Sequence, residues 1–174
     1  DQDGYIWLTG RSKDLIIRGG HNIDPQVIEE ALHHHPSVAL AAAVGKPDIK
    51  AGELPVVYVQ LKAGEQVGEA ELMEHAIQHI HERAALPKNI WLIDQIPLTA
   101  VGKTFKPALR LDAIRRVFEE EVWQVAADGQ VEVLSDDRHG QRVDIRVPGL
   151  DAGRREQLEQ RLGGYSVHYV LHSA

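Results

Sequence analysis

The chain has 174 residues, of which 43% are hydrophobic and 26% charged, which is typical of one soluble globular domain with room for a small appendage. The absence of cysteine excludes disulfides, thiolate metal sites and a cysteine nucleophile. The net charge of -7 disfavours nucleic-acid binding, and no apolar run approaches the roughly 20 residues that span a bilayer, so we expect no membrane span. The lack of cysteine agrees with a reducing cytoplasm, where we expect the protein to be located. The sequence opens at Asp1 without an initiator Met, and we expect it to be a piece of a longer protein.

The first elements predicted are a β-hairpin and a helix. YIWLTGR (5–11) alternates and is rich in branched and aromatic residues, which is typical of a strand, and DLIIRG (14–19) is its expected partner. Asp24 is a suitable N-cap for the helix that follows, and Pro25 suits its first position. The helix is predicted to end at the histidine run 33–35.

The middle of the chain predicts a sheet flanked by helices. Two apolar runs indicate buried strands, and a third strand follows an amphipathic helical segment that ends before Pro87. The predicted strands are 38–45, 54–62 and 89–97, and the predicted helices are 68–84 and 107–123. The apolar face of the first of these helices is predicted to consist of Leu72, Ala76, Ile77 and Ile80.

The composition shifts near residue 124, because all lysines lie at or before Lys106 and the remainder uses only arginine. Residues 124–174 predict strands at 130–134 and 142–147, a helix at 151–162 and a strand at 165–171. A ββαβ unit of this size is marginal alone, so we expect it to pack on the main domain or on a partner. The fold predicted for the whole chain is α+β, with a small mixed sheet, helices, an N-terminal hairpin and this ββαβ appendage.

One loop carries a candidate catalytic cation. In PLTAVGKTFKP (97–107), Gly102 frees the backbone just before Lys103, and a lysine on a mobile loop can serve as a point charge for phosphate or carboxylate. Gly-Lys-Thr suggests a P-loop, but the motif requires glycine where Pro97 stands, so we reject a Walker motif.

Two stretches together resemble the C-terminal domain of adenylate-forming enzymes, which are acyl-CoA synthetases, peptide-synthetase adenylation domains and luciferases. DGYIWLTGRSKDLIIRGGHNIDPQVIEEAL resembles the segment that opens this domain, and PLTAVGKTFKPALR resembles its closing lysine motif. The resemblance covers roughly residues 1–122, and within the family the sequence is most similar to the acyl-CoA synthetases. It divides the chain into a lid domain, 1–123, and an extension of unknown role, 124–174.

The resemblance implies roles for particular residues. The family's lid swings between two half-reactions, acyl-adenylate formation from ATP and thioester formation with coenzyme A. Lys103 matches the catalytic lysine of the first step, and Lys106 is a poorer candidate. Lys13 matches the hinge, and Arg11 would lie near the nucleotide, although it could equally pair with Asp14 or Glu29.

The face used in the second half-reaction is implied to carry Gly19, Gly20 and His21. Glycine there would permit close approach of a pantetheine arm, but the pair also suits a simple turn. His21 lies within the same glycine loop and is a candidate for the thiol channel.

The resemblance also implies that ATP with Mg²⁺ and coenzyme A are bound mainly by a large N-terminal domain of the same chain. The isolated 174 residues are therefore expected to be inactive. Which small-molecule carboxylate is activated stays open, as does the acceptor, since a carrier-protein ligase or a peptide-synthetase module fits the same motifs. A non-catalytic binding module, with the extension as a docking or self-association surface, is the alternative from another class.

The ten histidines do not predict a metal site. His75 and His79 have a helical ligand spacing, but HExxH is absent because residue 76 is Ala, and no carboxylate is placed as a third ligand. Polar or cationic residues such as His33–His35 are favourable at a helix C-terminus in any case.

Overall fold

A computed structural model describes residues 14–136 and 140–173 of the chain. The strand predicted at 5–11 lies outside these residues. The elements, in chain order, are β1 Ile16–Arg18, β2 His21–Ile23, α1 Pro25–His33, β3 Val38–Asp48, β4 Gly52–Leu61, α2 Glu69–His79, a 3-10 turn Arg83–Ala85, β5 Asn89–Leu92, α3 Lys106–Trp123, β6 Gln130–Asp136, β7 Gly140–Val147, α4 Ala152–Leu162 and β8 His168–Ser173.

The predicted mixed sheet is confirmed. Its strand order is β2-β1-β4-β3, and these neighbours are antiparallel. The short strand β5 runs parallel to β4 and pairs with Val56–Val59 of β4, beyond Gly52, where β1 pairs with β4. A hairpin near the N-terminus is present, formed by Ile16–Arg18 and His21–Ile23 across a Gly-Gly turn. The predicted pairing of 14–19 with 5–11 involves residues outside the described part of the chain.

Both faces of this sheet are covered, which explains the continuous apolar runs in the sequence. Successive side chains of a strand point to opposite faces. Ala41 and Ala43 face the cluster that contains α1 and α2, whereas Ala42 and Val44 face the cluster that contains α3. A strand buried on both sides has no polar alternation for the sequence to show.

Two predicted elements are too long. The helix predicted at 68–84 ends at His79, because Ile80 takes an extended backbone and buries its side chain. Ile77, predicted on the apolar face, is 57% exposed. The strand predicted at 89–97 ends at Leu92. Further along, the N–H of Ile96 donates to the side-chain oxygen of Gln60 in β4 and not to a backbone carbonyl of that strand.

The extension forms the predicted ββαβ unit, with β6 antiparallel and β8 parallel to β7. It packs on the main domain through α3, whose second half lies in the same apolar cluster as β7 and α4. The members of that cluster from α3 are Ile114, Val117, Phe118 and Val122. Glu121 Oε2 of α3 also lies 2.6 Å from Arg161 Nη1 of α4. Because Leu109 and Ala113 lie in the cluster under the main sheet, α3 contributes to two apolar cores.

Candidate functional site

The residues before α3 close into a small hairpin, here called the lysine loop (residues 97–105), with Lys103 near its tip. The N–H of Phe105 donates to the carbonyl of Pro97 at 2.7 Å, and Leu98 and Thr104 form an antiparallel bridge. Gly102 has φ 76°, in the left-handed region that glycine adopts without steric cost. The structure thus shows why a glycine precedes the lysine.

The ammonium group of Lys103 is presented to solvent. Its side chain is exposed and makes no hydrogen bond or ion pair with any residue that the structure describes. Three apolar side chains of the same loop are also exposed: Leu98 by 46%, Val101 by 79% and Phe105 by 44%. An uncommitted cation on a braced loop is suited to bind an anion brought to it.

Lys106, three residues further on, is in a different situation. Its Nζ lies 2.7 Å from Glu29 Oε1, and the two side chains are only 15% and 17% exposed. The same oxygen accepts a hydrogen bond from the N–H of Ala43 at 2.8 Å. Lys106 therefore ties α3 to α1 and β3, which agrees with the choice of Lys103 as the catalytic candidate.

The start of the described chain is anchored to α3. Asp14 Oδ1 lies 2.8 Å from Arg110 Nη2. Lys13 and Arg11, predicted as hinge and nucleotide ligand, lie outside the described residues. Asp14 and Glu29, considered as partners of Arg11, are each bound by a cation of α3. The residue that follows the predicted hinge is therefore fixed to the body of the domain.

Gly19, Gly20 and His21 come together at the β1–β2 turn. The glycines have φ 56° and 85°, the backbone signs of a type I′ hairpin turn. All three residues are exposed, and a Cβ added to either glycine would meet nothing within 4 Å. The turn alone accounts for the glycine pair, and coenzyme A binding there stays a prediction.

His75 and His79, the pair with helical ligand spacing, are bound to the backbone and stacked on each other. His75 Nε2 donates to the carbonyl of Ala31 at 3.0 Å, and His79 Nδ1 donates to the carbonyl of His75 at 2.8 Å. The His75 and His79 rings stack at 4.0 Å. Among residues 14–136 and 140–173, no group of three His, Cys, Asp or Glu side chains could hold a metal ion.

A polar network fixes α3 on the sheet behind the lysine loop. Tyr58 of β4 donates to Asp112 Oδ2 at 2.8 Å, and Arg116 Nε donates to the same oxygen at 2.6 Å. Burial opposes ionisation of Asp112, but hydrogen bonds from Arg116, Arg115 and Tyr58 outweigh it and hold the pKa of this carboxyl below its usual value. Burial raises the pKa of Tyr58, with the neighbouring carboxylate acting in the same direction.

Sequence reasoning missed one residue of the loop. Thr99 accepts a hydrogen bond from the N–H of Lys103 through its side-chain oxygen at 3.1 Å. A hydroxyl residue a few positions before a Gly-Lys pair is a local signal for such a turn. By contrast, nothing in the sequence pairs Lys106 with Glu29, which lie on distant segments.

The described part of the chain contains no helix long and apolar enough to cross a membrane.

Comparison with known proteins gives a consistent set of relatives. Residues 27–103 match the AMP-binding enzyme C-terminal domain. The marinolic acid–CoA ligase of Pseudoalteromonas sp. (strain SANK 73390) is 45% identical over 161 residues, which are 91% of this chain and 24% of that protein. A match of that extent includes most of residues 124–174.

Solved structures of similar sequence share the fold over 63% of the chain. The fatty acyl-CoA synthetase of Mycobacterium tuberculosis has 35% identity and a TM-score of 0.55, over 63% of this chain and 22% of that one. ATP-bound MatB from Rhodopseudomonas palustris has 32% identity and a TM-score of 0.57, with the same shares. The chain thus spans about a quarter of the length of the relatives it matches.

Proposed function

We propose that the chain is the mobile lid of an AMP-forming acyl-CoA ligase. Residues 27–103 match the AMP-binding enzyme C-terminal domain family, and the similar proteins include CoA ligases and acyl-CoA synthetases. The observation that carries the proposal is the state of Lys103. Lys103 is exposed on a braced loop and pairs with none of the described residues, whereas Lys106 in the same motif is half-buried and paired with Glu29.

In the first half-reaction, Lys103 supplies positive charge where negative charge develops. A carboxylate oxygen of the acid forms a bond to the α-phosphorus of ATP, and the bond to pyrophosphate breaks. The Lys103 ammonium bridges the carboxylate and the phosphate in the transition state, and the exposed apolar residues of its loop limit the water around it. Electrostatic stabilisation of this kind is worth about 10² to 10³ in rate for one donor.

In the second half-reaction, the lid presents the β1–β2 turn. Gly19, Gly20 and His21 form an exposed tip that a pantetheine arm can approach, where the thiol attacks the acyl carbon and AMP leaves. Lys13 is the proposed hinge for the swing, and Arg11 the proposed nucleotide contact. The Asp14–Arg110 ion pair supports this placement, because a hinge needs a rigid body that begins directly after it.

The substrates follow from the relatives. The family is that of ATP-dependent CoA ligases, so ATP with Mg²⁺ and coenzyme A are the proposed cosubstrates, held mainly by an N-terminal adenylation domain of the same chain. The acid is a small-molecule carboxylate. A carrier-protein thiol in place of coenzyme A stays the alternative acceptor.

We further propose that residues 124–174 move with the lid and are not a separate docking module. The supporting observation is the shared core, since Phe118 and Val122 of α3 are fully buried in a cluster that contains Ile145 and Leu158 of the extension. A helix buried on both sides cannot swing without the unit that covers its second half.

The test separates the two half-reactions in the full-length enzyme. Lys103→Ala should lower ATP–pyrophosphate exchange by about 10² to 10³ while leaving thioester formation from supplied acyl-adenylate unchanged. The isolated 174 residues, used as a control, should show no exchange at all. Equal loss in both half-reactions, or exchange by the isolated chain, would contradict the proposal.

A further inference from the structure

We propose that Thr99 is a positioning residue for the lysine of the first half-reaction, an inference that rests on the proposed function of Lys103. Thr99 touches no reacting atom in this account. It acts by fixing the backbone from which the Lys103 side chain extends.

The backbone of Lys103 is held by Thr99 on both of its polar groups. The N–H of Thr99 donates to the carbonyl of Lys103 at 2.7 Å, and the N–H of Lys103 donates to Thr99 Oγ1 at 3.1 Å. The N–H of Gly102 donates to the carbonyl of Thr99 at 2.8 Å. Only one of these three bonds depends on the side chain of Thr99, and it is the one that orients the amide of Lys103.

That bond compensates for the freedom of the residue before it. Gly102 lies at φ 76°, and a Cβ there would meet nothing within 4 Å, so packing does not restrict this position. The Lys103 side chain contacts no described polar group that could hold it in place. The location of the ammonium group is therefore set by the loop backbone, and a misplacement of about 1 Å in an active site can cost roughly 10² in rate.

Thr104 offers a matched control. It is a threonine of the same loop and is half-buried like Thr99, but its hydroxyl makes no hydrogen bond with the described residues. Replacement by valine removes the same hydroxyl at both positions while keeping the shape of the side chain. A difference between the two variants therefore reports the bond to the Lys103 amide.

The experiment compares Thr99→Val, Thr99→Ser and Thr104→Val in the full-length enzyme, with Lys103→Ala as reference. We expect Thr99→Val to lower kcat of ATP–pyrophosphate exchange by about 10- to 100-fold with KM for ATP nearly unchanged. Serine should restore the rate, and Thr104→Val should resemble the parent. Hydrogen exchange of the Lys103 amide should be faster in Thr99→Val alone, and thioester formation from supplied acyl-adenylate should be unchanged.

Parent-like exchange kinetics in Thr99→Val would overturn the inference, and so would failure of serine to restore them. If Lys103→Ala loses exchange as expected while Thr99→Val keeps the parent rate, the proposed function stands and the role of Thr99 fails. If Lys103→Ala retains full exchange, the proposed function fails and the positioning role fails with it.

Discussion

Substitution of the two lysines in the lysine motif is predicted to affect different properties, catalysis for Lys103 and stability for Lys106. Lys103→Met and Lys106→Met each remove one charge and keep an unbranched side chain of similar length. Lys103 is exposed and unpaired among the described residues, whereas Lys106 binds Glu29 at 2.7 Å in a nearly buried pair. The first change should therefore reduce catalysis without affecting stability, and the second should do the reverse.

The magnitude for Lys106 follows from its burial. Removal of one partner of a fully buried ion pair costs about 3–5 kcal/mol, because the other charge is left uncompensated. Both side chains here keep about one sixth of their exposure, and Glu29 retains its bond from Ala43, so we take about 2–3 kcal/mol. For a chain of this length that corresponds to a fall in Tm of about 4–12 °C.

The assay has two arms. Thermal unfolding of the 174-residue chain gives Tm for each variant, where Lys103→Met should lie within about 2 °C of the parent, as surface substitutions do. Exchange of ATP with pyrophosphate is measured in the full-length enzyme at a temperature at which all variants are folded. There Lys106→Met should stay within about tenfold of the parent and Lys103→Met should lose about 10² to 10³.

A double-mutant cycle provides the control for the ion pair. Adding Glu29→Gln to Lys106→Met should recover part of the lost stability, since no buried charge is then left alone. Loss of all exchange in a folded Lys106→Met variant, or unfolding of the chain by Lys103→Met, would contradict this division of roles.

Three further predictions follow. Gly19→Asn should keep the fold, since Asn-Gly suits a type I′ turn, but it should slow thioester formation without slowing ATP–pyrophosphate exchange. A rate of thioester formation equal to that of the parent would argue against coenzyme A approaching this turn. Phe118→Ala should cost about 3–5 kcal/mol in urea unfolding of the chain, because the ring is fully buried, 5.4 Å from that of Tyr165; a loss below about 1 kcal/mol would show that the extension is not part of one core with α3. Burial, aided by neighbouring histidines, lowers the pKa of His75, so the unfolded chain binds a proton at this residue more readily than the folded chain does. The free energy of unfolding should therefore be level above about pH 7 and fall as the pH drops through about 6.5. The fall should be shallower in His75→Gln, and an unchanged slope in that variant would contradict the assignment.

Local patterns in the sequence were sufficient for most of the fold. Asp24 caps α1 through its side chain as predicted, and the ββαβ order of the extension could be derived from alternation and turns. The errors arise where tertiary contacts override the pattern. Ile80 leaves the helical path and is still buried, and the N–H of Ile96 donates to the side chain of Gln60 where the pattern predicted strand pairing.

In the candidate site, too, local features could be predicted from the sequence and contacts between distant segments could not. Lys103 and Gly102 could be identified from a motif that lies within a few residues, and the structure adds the hairpin that presents them. The contacts that distinguish Lys106 from Lys103 are not local, because Glu29 is brought to α3 only by the folded sheet. A single sequence contains no signal for such a pair.

The most direct test of the account is the structure of the full-length enzyme with a non-reacting acyl-adenylate analogue, captured in the adenylation state. We expect Lys103 Nζ to lie within hydrogen-bond distance, about 2.7–3.2 Å, of an oxygen on the phosphate or the acyl group. A structure in which the phosphate is bound by another cation, with Lys103 directed into solvent, would contradict it.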